Sequence, residues 1–294
     1  MQDQSLLGIS TRNYEPSIRA VCQGYGVKKS SVSRRFMGAC RKALDELFSR
    51  RLDDLGICVL FIDGIERGGK CLIIALGLDC RGKKHALGLW QGVTENATVC
   101  KALLADLVRR GLDPDKKYLF IIDGAKALSS AIEKTFSAFE IQRCQLHKRR
   151  NVKDHLPQRL QAQIDQRLTA AYNMAGYKEA KAELFTIVHE LEKINPSAAR
   201  SLEEGLEQTL TLHRLETPEL LRISLSSTNI IESCLFRVDH VIGRVKRWRG
   251  GDHVQRWTAM GLLEAEKHFR TVKGYRALAA LMEKLNPSKK EKIA

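Results

Sequence analysis

The chain has 294 residues, 44% hydrophobic and 28% charged, with 49 Lys+Arg against 34 Asp+Glu for a formal net charge of +15. This is the composition of a folded globular protein with room for one large domain or two modest ones, and it excludes disordered and fibrous classes. No apolar run approaches the ~20 residues of a membrane span, and the first residues lack the basic flank and apolar stretch of a signal peptide, so a pI near 9.6 points to nucleic acid before a membrane surface.

In chain order, the first expected elements are helical. Ile18 to Cys22 is followed by Gly24-Tyr25-Gly26-Val27, and a helix opens through Lys28 to Phe36. Cys22, Gly26 and Val32 have the small-turn-apolar spacing of a helix-turn-helix. Ser30, Ser31, Ser33, Arg34 and Arg35 would then lie at the start of the second helix, the part that enters a major groove. A plain helical hairpin with a basic outer face satisfies the same spacing.

Next come short apolar runs. Residues 57–63 (ICVLFID) and 118–123 (YLFIID) read as strands buried on both faces. Residues 71–78 and 85–90 add two more, separated by Gly-rich and Lys-rich turns, which predicts a three-strand meander. Val99, Leu103, Leu104, Leu107 and Val108 recur at helical spacing and stop at Gly111. A second helix follows through Leu128, Ile132 and Phe136. From Pro157 to about Arg222 the pattern is helical throughout. The order is that of an α/β fold with a helical insertion.

Charge divides along the same lines. Net values are +4 for residues 1–56, +6 for 57–156, −2 for 157–223 and +7 for 224–294. The excess spares the helical block, as expected if that block faces away from the polyanion. The eight cysteines, at 22, 40, 58, 71, 80, 100, 144 and 234, show no CxxC pair and read as reduced core thiols.

Two apolar runs end alike, in Ile62-Asp63-Gly64 and Ile122-Asp123-Gly124. Carboxylates at the C-terminal ends of buried strands occupy the ligand-binding edge of α/β sheets. On neighbouring strands they would repel unless a cation lay between them, and oxygen donors suit Mg²⁺ or Mn²⁺. Each Asp could instead open a turn. A third carboxylate, Glu232, lies on the edge of an apolar helical stripe formed by Ile231, Leu235, Val238, Val241, Ile242 and Val245. Asn229 and Glu232 also have the spacing of a capping box, and Asp239 shares Glu232's face as a rival ligand.

These pieces resemble the bacterial insertion-sequence transposases of the mutator type. The matching stretches are LFIDG around Asp63, LFIIDGAKAL around Asp123, RCQLHKRRNV at 143–152 and STNIIES at 227–233, continuing through RVKRWRGGDHVQRWTAMGLLEAEKHFR at 244–270. The resemblance implies a ribonuclease H-like mixed sheet flanked by helices, with a metal-binding DDE triad at Asp63, Asp123 and Glu232. It makes residues 1–54 a helix-turn-helix-like DNA-binding segment, 55–156 and 224–275 the catalytic domain, 157–223 an all-α insertion and 276–294 a basic C-terminal tail. The family's Cys-x2-His signature falls on Cys144 and His147, where an auxiliary role near the active site is expected ahead of a zinc half-site. Family members carry a longer helical region before the catalytic domain, so a shortened copy is the expectation.

The implied chemistry uses two Mg²⁺ or Mn²⁺ ions, bridged by Asp63 and completed by Asp123 and Glu232. Water would free a 3′-hydroxyl at an element end, and that hydroxyl would attack target DNA. Lys148, Arg149, Arg150, Lys153, Arg244, Lys246, Arg247 and Arg249 would neutralise phosphates. Trp248 could stack on a splayed base or sit half-buried in the core, where Trp257, Leu262, Leu263 and Phe269 belong. The expected partner is double-stranded DNA, bound by a homo-oligomer in the bacterial cytoplasm at the nucleoid. The competing readings are a non-catalytic DNA-binding regulator or inactive relic, and a ribonuclease H-like nuclease without strand transfer.

Overall fold

A computed structural model describes residues 29–287 apart from 95, 244, 246, 247 and 249, and side chains from residue 34 onward. The first helix of the expected helix-turn-helix, with Cys22 and Gly26, lies outside the described residues. So do Arg244, Lys246, Arg247 and Arg249, and the side chains of Ser30, Ser31 and Ser33.

Helix α1 (Lys29–Ser49) leads into a meander of β1 (Ile57–Arg67), β2 (Lys70–Asp79) and β3 (Lys84–Gly92). Helix α2 (Ala97–Arg109), strand β4 (Tyr118–Ile122), helix α3 (Lys126–Thr135) and strand β5 (Phe139–Arg143) complete the α/β part. The sheet runs β3-β2-β1-β4-β5, antiparallel across the meander and parallel from β1 through β4 to β5. The sequence pattern anticipates these elements, the fifth strand least clearly because Phe139–Arg143 carries only two strongly apolar residues.

Helices follow: α4 (Gln145–Asp154), α5 (Gln158–Asn173), α6 (Tyr177–Ile194), α7 (Pro196–Glu203), α8 (Leu206–Thr209), α9 (Thr211–Arg214) and α10 (Glu219–Leu225). Then come α11 (Asn229–Ile242), α12 (His253–Glu266) and α13 (Leu278–Leu285). No helix among the described residues is long and apolar enough to cross a membrane.

Alternation along the strands fixes the layers, because successive side chains point to opposite sheet faces. Leu60, Ile62, Phe120 and Ile122 join Leu103, Leu104, Leu107, Leu128 and Ile132 of α2 and α3 in one cluster. Val59, Phe61, Leu119 and Ile121 join Ile231, Leu235 and Val238 of α11 and Ala259 and Leu262 of α12 in another. Phe61 and Phe120 are fully buried, worth roughly 1.5–3 kcal/mol each relative to exposure.

The ends of the chain depart from the sequence reading. The inner face of α1, Phe36, Cys40 and Ala43, is buried against Met260 of α12, with Trp257 and Leu263 alongside. The segment expected as a tail from residue 276 contains α13, whose Leu278, Leu281 and Leu285 recur at helical spacing and bury in the α11–α12 cluster.

The helical block has a core of its own, from Val152 and Leu156 through Leu168, Leu184 and Leu191 to Leu206 and Leu210. Its exit and return are joined side by side. Gln142 and Gln145, flanking Cys144, both donate side-chain hydrogen bonds to the Thr209 carbonyl, at 2.9 and 2.8 Å. The Leu212 amide donates back to Gln142 Oε1 at 3.0 Å, and Thr211 Oγ1 donates to the Ile141 carbonyl at 2.6 Å.

Candidate active site

Strand register brings two carboxylates together. β1 and β4 pair in parallel with Val59 opposite Leu119 and Phe61 opposite Ile121. Continued by two residues, that register sets Asp63 beside Asp123, both on the face covered by α11. Burial along β1 ends at Ile62, so the strand passes from core to half-open edge where the carboxylate appears. Asp63 Oδ1 accepts the Gly64 amide and Asp123 Oδ1 the Ala125 amide, each at 2.9 Å. The turn-opening role is therefore real, and it occupies one oxygen of each.

The electrostatics give the second role. Burial, and after it the negative charge of Asp123, push the Asp63 carboxyl up to about 6, with a smaller push from Glu232. The Gly64 amide and His147 pull the other way. A carboxylate held this far above its usual range lacks a neutralising partner. Oxygen donors on adjacent strands with excess negative charge suit a divalent cation, and the donor chemistry of Asp63 and Asp123 fits one. Among the described residues no three His, Cys, Asp or Glu side chains converge into a complete ligand set.

Glu232 is held by a hub that sequence reasoning passed over. The N-cap of α11 is Thr228, and Asn229 is already helical, so the Asn229–Glu232 capping box does not form. Thr228 Oγ1 donates to Glu232 Oε1 at 2.7 Å and meets His147 Nδ1 at 3.2 Å. Its hydroxyl and its amide each lie 3.4 Å from Cys144 Sγ. His147 Nε2 lies 4.0 Å from Glu232 Oε1. Burial would raise the Cys144 thiol, but its hydrogen bonds with His147 and Thr228 outweigh that and lower it. The bond to Cys144, aided by the charges of Cys144, Glu232 and Asp123, raises His147 against its own burial. Cys144 and His147 thus meet Glu232 through one threonine, whose polar position at a helix start was the available signal.

Asp239, the rival to Glu232, is engaged elsewhere. Arg67, at the end of β1, takes it in a two-pronged ion pair, with Nε 2.9 Å from Oδ1 and the second prong between Nη2 and Oδ2. Spacing along α11 could not reveal this, because the partner lies 172 residues away.

Gly124 has a structural reason beyond the turn. Its φ is +106°, and an added Cβ would fall 1.9 Å from Arg143 Nε, so only glycine lets that guanidinium lie against the Asp123 turn. Arg143 then reaches the Glu204 carbonyl at 3.1 Å and the Glu204 carboxylate at 3.3 Å, tying the turn to the helical block.

The basic residues separate on inspection. Arg34 and Arg35 on α1 and Arg150 on α4 are exposed. Arg149 and Lys153 both bind Asp165, at 2.7 and 3.2 Å. Lys148 corrects the sequence reading. It is 1% exposed, and its Nζ donates to the carbonyls of Ser201 and Glu204 at 2.5 and 2.6 Å, capping the end of α7. Burial and then the Arg143 charge lower its proton affinity to about 8, against the pull of Glu204. A lysine spent on carbonyls is not available to phosphate.

Trp248 is half-buried. It meets His253 and Trp257 edge-on, with centroids 5.7 and 6.5 Å apart. Its ring also covers Gly68 of the β1–β2 turn, where an added Cβ would fall 2.5 Å from the indole. Leu262 is buried, with Trp257, Leu263 and Phe269 packed against the core.

The profile of the family described as "Transposase, Mutator family" matches residues 3–248. The chain is 30% identical over 236 residues to the transposase for insertion sequence element ISRM5 of Rhizobium meliloti, covering 76% of this chain and 57% of that protein. It is 26% identical over 235 residues to the IS6120 transposase of Mycolicibacterium smegmatis, covering 78% of this chain and 71% of the relative. To the transposase for IS256 in transposon Tn4001 of Staphylococcus aureus it is 26% identical over 242 residues, covering 79% and 60%. The chain thus spans less than two thirds of the length of the ISRM5 and IS256 relatives.

Proposed function

The chain belongs to the Mutator family of transposases, and from that premise we propose that it cuts the ends of an insertion sequence and joins the freed 3′-hydroxyl to target DNA. The observation that carries this reading is that the parallel register of β1 and β4, continued by two residues, sets Asp63 beside Asp123, with Asp63 raised by burial and then by its neighbour's charge.

In this reading the sheet is a ribonuclease H-like core formed by residues 55–156 and 224–275. Residues 157–223 form an insertion, supported by the separate apolar cluster of the helical block. Asp63 and Asp123 would hold divalent cations, Mg²⁺ or Mn²⁺, and Glu232 would supply a further carboxylate from α11. When bound, the ions supply positive charge at the scissile phosphate and favour in-line displacement. Glu232 is oriented by the Thr228 hydroxyl, which His147 Nδ1 also meets at 3.2 Å. Water first attacks the phosphodiester at the element end and releases the 3′-hydroxyl. That hydroxyl then attacks a target phosphodiester, so no covalent protein–DNA link is required. Arg34, Arg35 and Arg150 offer exposed charge to DNA phosphates, and the active form on DNA is a homo-oligomer.

Purified full chain, Mg²⁺ and labelled duplexes carrying the element ends test this directly. The expected products are metal-dependent nicks with 3′-hydroxyls, followed by joining to target DNA. Nicking without joining would replace the proposal with a nuclease. Binding without nicking would replace it with a DNA-binding regulator.

A further inference from the structure

Seven of the eight cysteines lie among the described residues, and six of those are buried as the sequence suggests; Cys80 is exposed. It sits at the β2–β3 turn, and the ladder there pairs Ile57 with Asp79 before a bulge between Ile57 and Val59. The thiols of Cys58 and Cys80 therefore lie on the same face of adjacent strands, each reaching across to the other strand's backbone. Cys58 Sγ donates to the Leu78 carbonyl at 3.1 Å, and Cys80 Sγ to the Gly56 carbonyl at 3.5 Å. The Lys116 ammonium, anchored on the Ile57 carbonyl at 2.9 Å, lies close enough to act electrostatically on both thiols.

One thiol is exposed and within reach of a cation, and the other is buried on the adjoining strand. That is the arrangement of a peroxide-reactive cysteine with its resolving partner. We propose that Cys80 and Cys58 form a reversible oxidation site, in which Cys80 reacts with a hydroperoxide and Cys58 closes an intramolecular disulfide.

In the first step the Cys80 thiolate attacks the hydroperoxide. An S–O bond forms, the O–O bond breaks, and the alcohol or water leaves with a proton, so sulfur is oxidised and the peroxide reduced by two electrons. In the second step Cys58 sulfur attacks Cys80 sulfur. The S–S bond forms, the S–O bond breaks, and water leaves with the Cys58 proton. A dithiol reverses the change by exchange. The neighbouring Cys58 thiol and then the Lys116 charge, against burial, hold the Cys80 thiol below its ordinary value and so favour the thiolate. The pair sits at the start of β1, and Asp63 lies further along the same strand beyond four core residues. The cross-link therefore leaves the carboxylates untouched.

The test is titration of the reduced full chain with hydrogen peroxide, read by intact mass and peptide mapping. The expected result is loss of two hydrogens and a Cys58–Cys80 linked peptide that dithiothreitol reverses. Cys80, exposed where the other described cysteines are buried, should react at least about ten-fold faster than any of them. Cys58→Ser should stop at a dimedone-reactive sulfenic acid on Cys80, and Cys80→Ser should leave Cys58 reduced. Because Cys58 is buried, Cys58→Ala provides a second variant with the same expected trapping. A disulfide through another cysteine, preferential oxidation at Cys144, or unchanged oxidation of Cys58 in Cys80→Ser would each overturn the proposal.

Discussion

Asp63 within β1 and Asp123 one residue beyond β4 are brought side by side by the parallel register, and burial and then the charge of Asp123 raise Asp63 to about 6. A folded-state value above the unfolded 3.8 means that the native chain binds the Asp63 proton more tightly. Ionising Asp63 therefore costs stability progressively from about pH 4 to 6, and the full cost stands above that, up to about 3 kcal/mol before solvent screening is discounted. Asp63→Asn should raise the melting temperature by several degrees at pH 8 without divalent ions, and by much less at pH 4. Mg²⁺ should stabilise the native chain but not the variant. Equal melting at pH 8 would refute the repulsion.

The same pair governs catalysis in the proposed reaction. Asp63→Asn, Asp123→Asn and Glu232→Gln should each reduce strand cleavage by at least about a thousand-fold, the scale expected when a major electrostatic contributor is removed. Gel-shift binding to element-end DNA should persist. Normal cleavage by any one variant removes that residue from the site.

Thr228 supplies a subtler test. Thr228→Val removes the hydroxyl between His147 and Glu232, leaving both without it at a buried position. Cleavage should fall roughly 10- to 100-fold, consistent with about 1–3 kcal/mol for a lost buried hydrogen bond. Thr228→Ser, which keeps the oxygen, should restore most of the rate. If Val and Ser variants cleave alike, the hydroxyl has no positioning role.

Asp239→Asn separates the two acidic residues of α11. Its partner is Arg67 and both are more than a third exposed, at 37% and 38%, so the loss should be about 1 kcal/mol or less. Chemical denaturation should show that small change while strand cleavage stays intact. Abolished cleavage would reinstate Asp239 as a ligand.

The lysines and arginines divide by salt dependence. Neutralising Arg34, Arg35 or Arg150 should lower the slope of log affinity against log salt by about one each. Lys148→Met should leave that slope unchanged while destabilising the helical block, since its charge caps the carbonyls of α7. A reduced slope in Lys148→Met would show that this lysine reaches DNA.

Much of the sheet was readable because a strand buried on both faces must be apolar throughout, and the Asp-Gly endings mark where burial stops. Lys148 was misread for a local reason. Within a Lys-Arg-Arg run it is the member in line with Gln145 and Val152, the buried face of α4, so helical spacing held the answer that charge obscured. The engagement of Asp239 was not readable, because it depends on Arg67 arriving from a distant strand. Thr228 was hidden for the same reason, since its partners Cys144 and His147 lie more than eighty residues earlier.

The helical block leaves after Cys144 and comes back at Thr209, where Gln142 and Gln145 grip a single carbonyl. A detour whose two ends meet is modular: its length and content can be exchanged without altering the geometry on either side. Shortening the block between these two junctions should therefore leave β1 and β4 in register, with Asp63 and Asp123 still side by side.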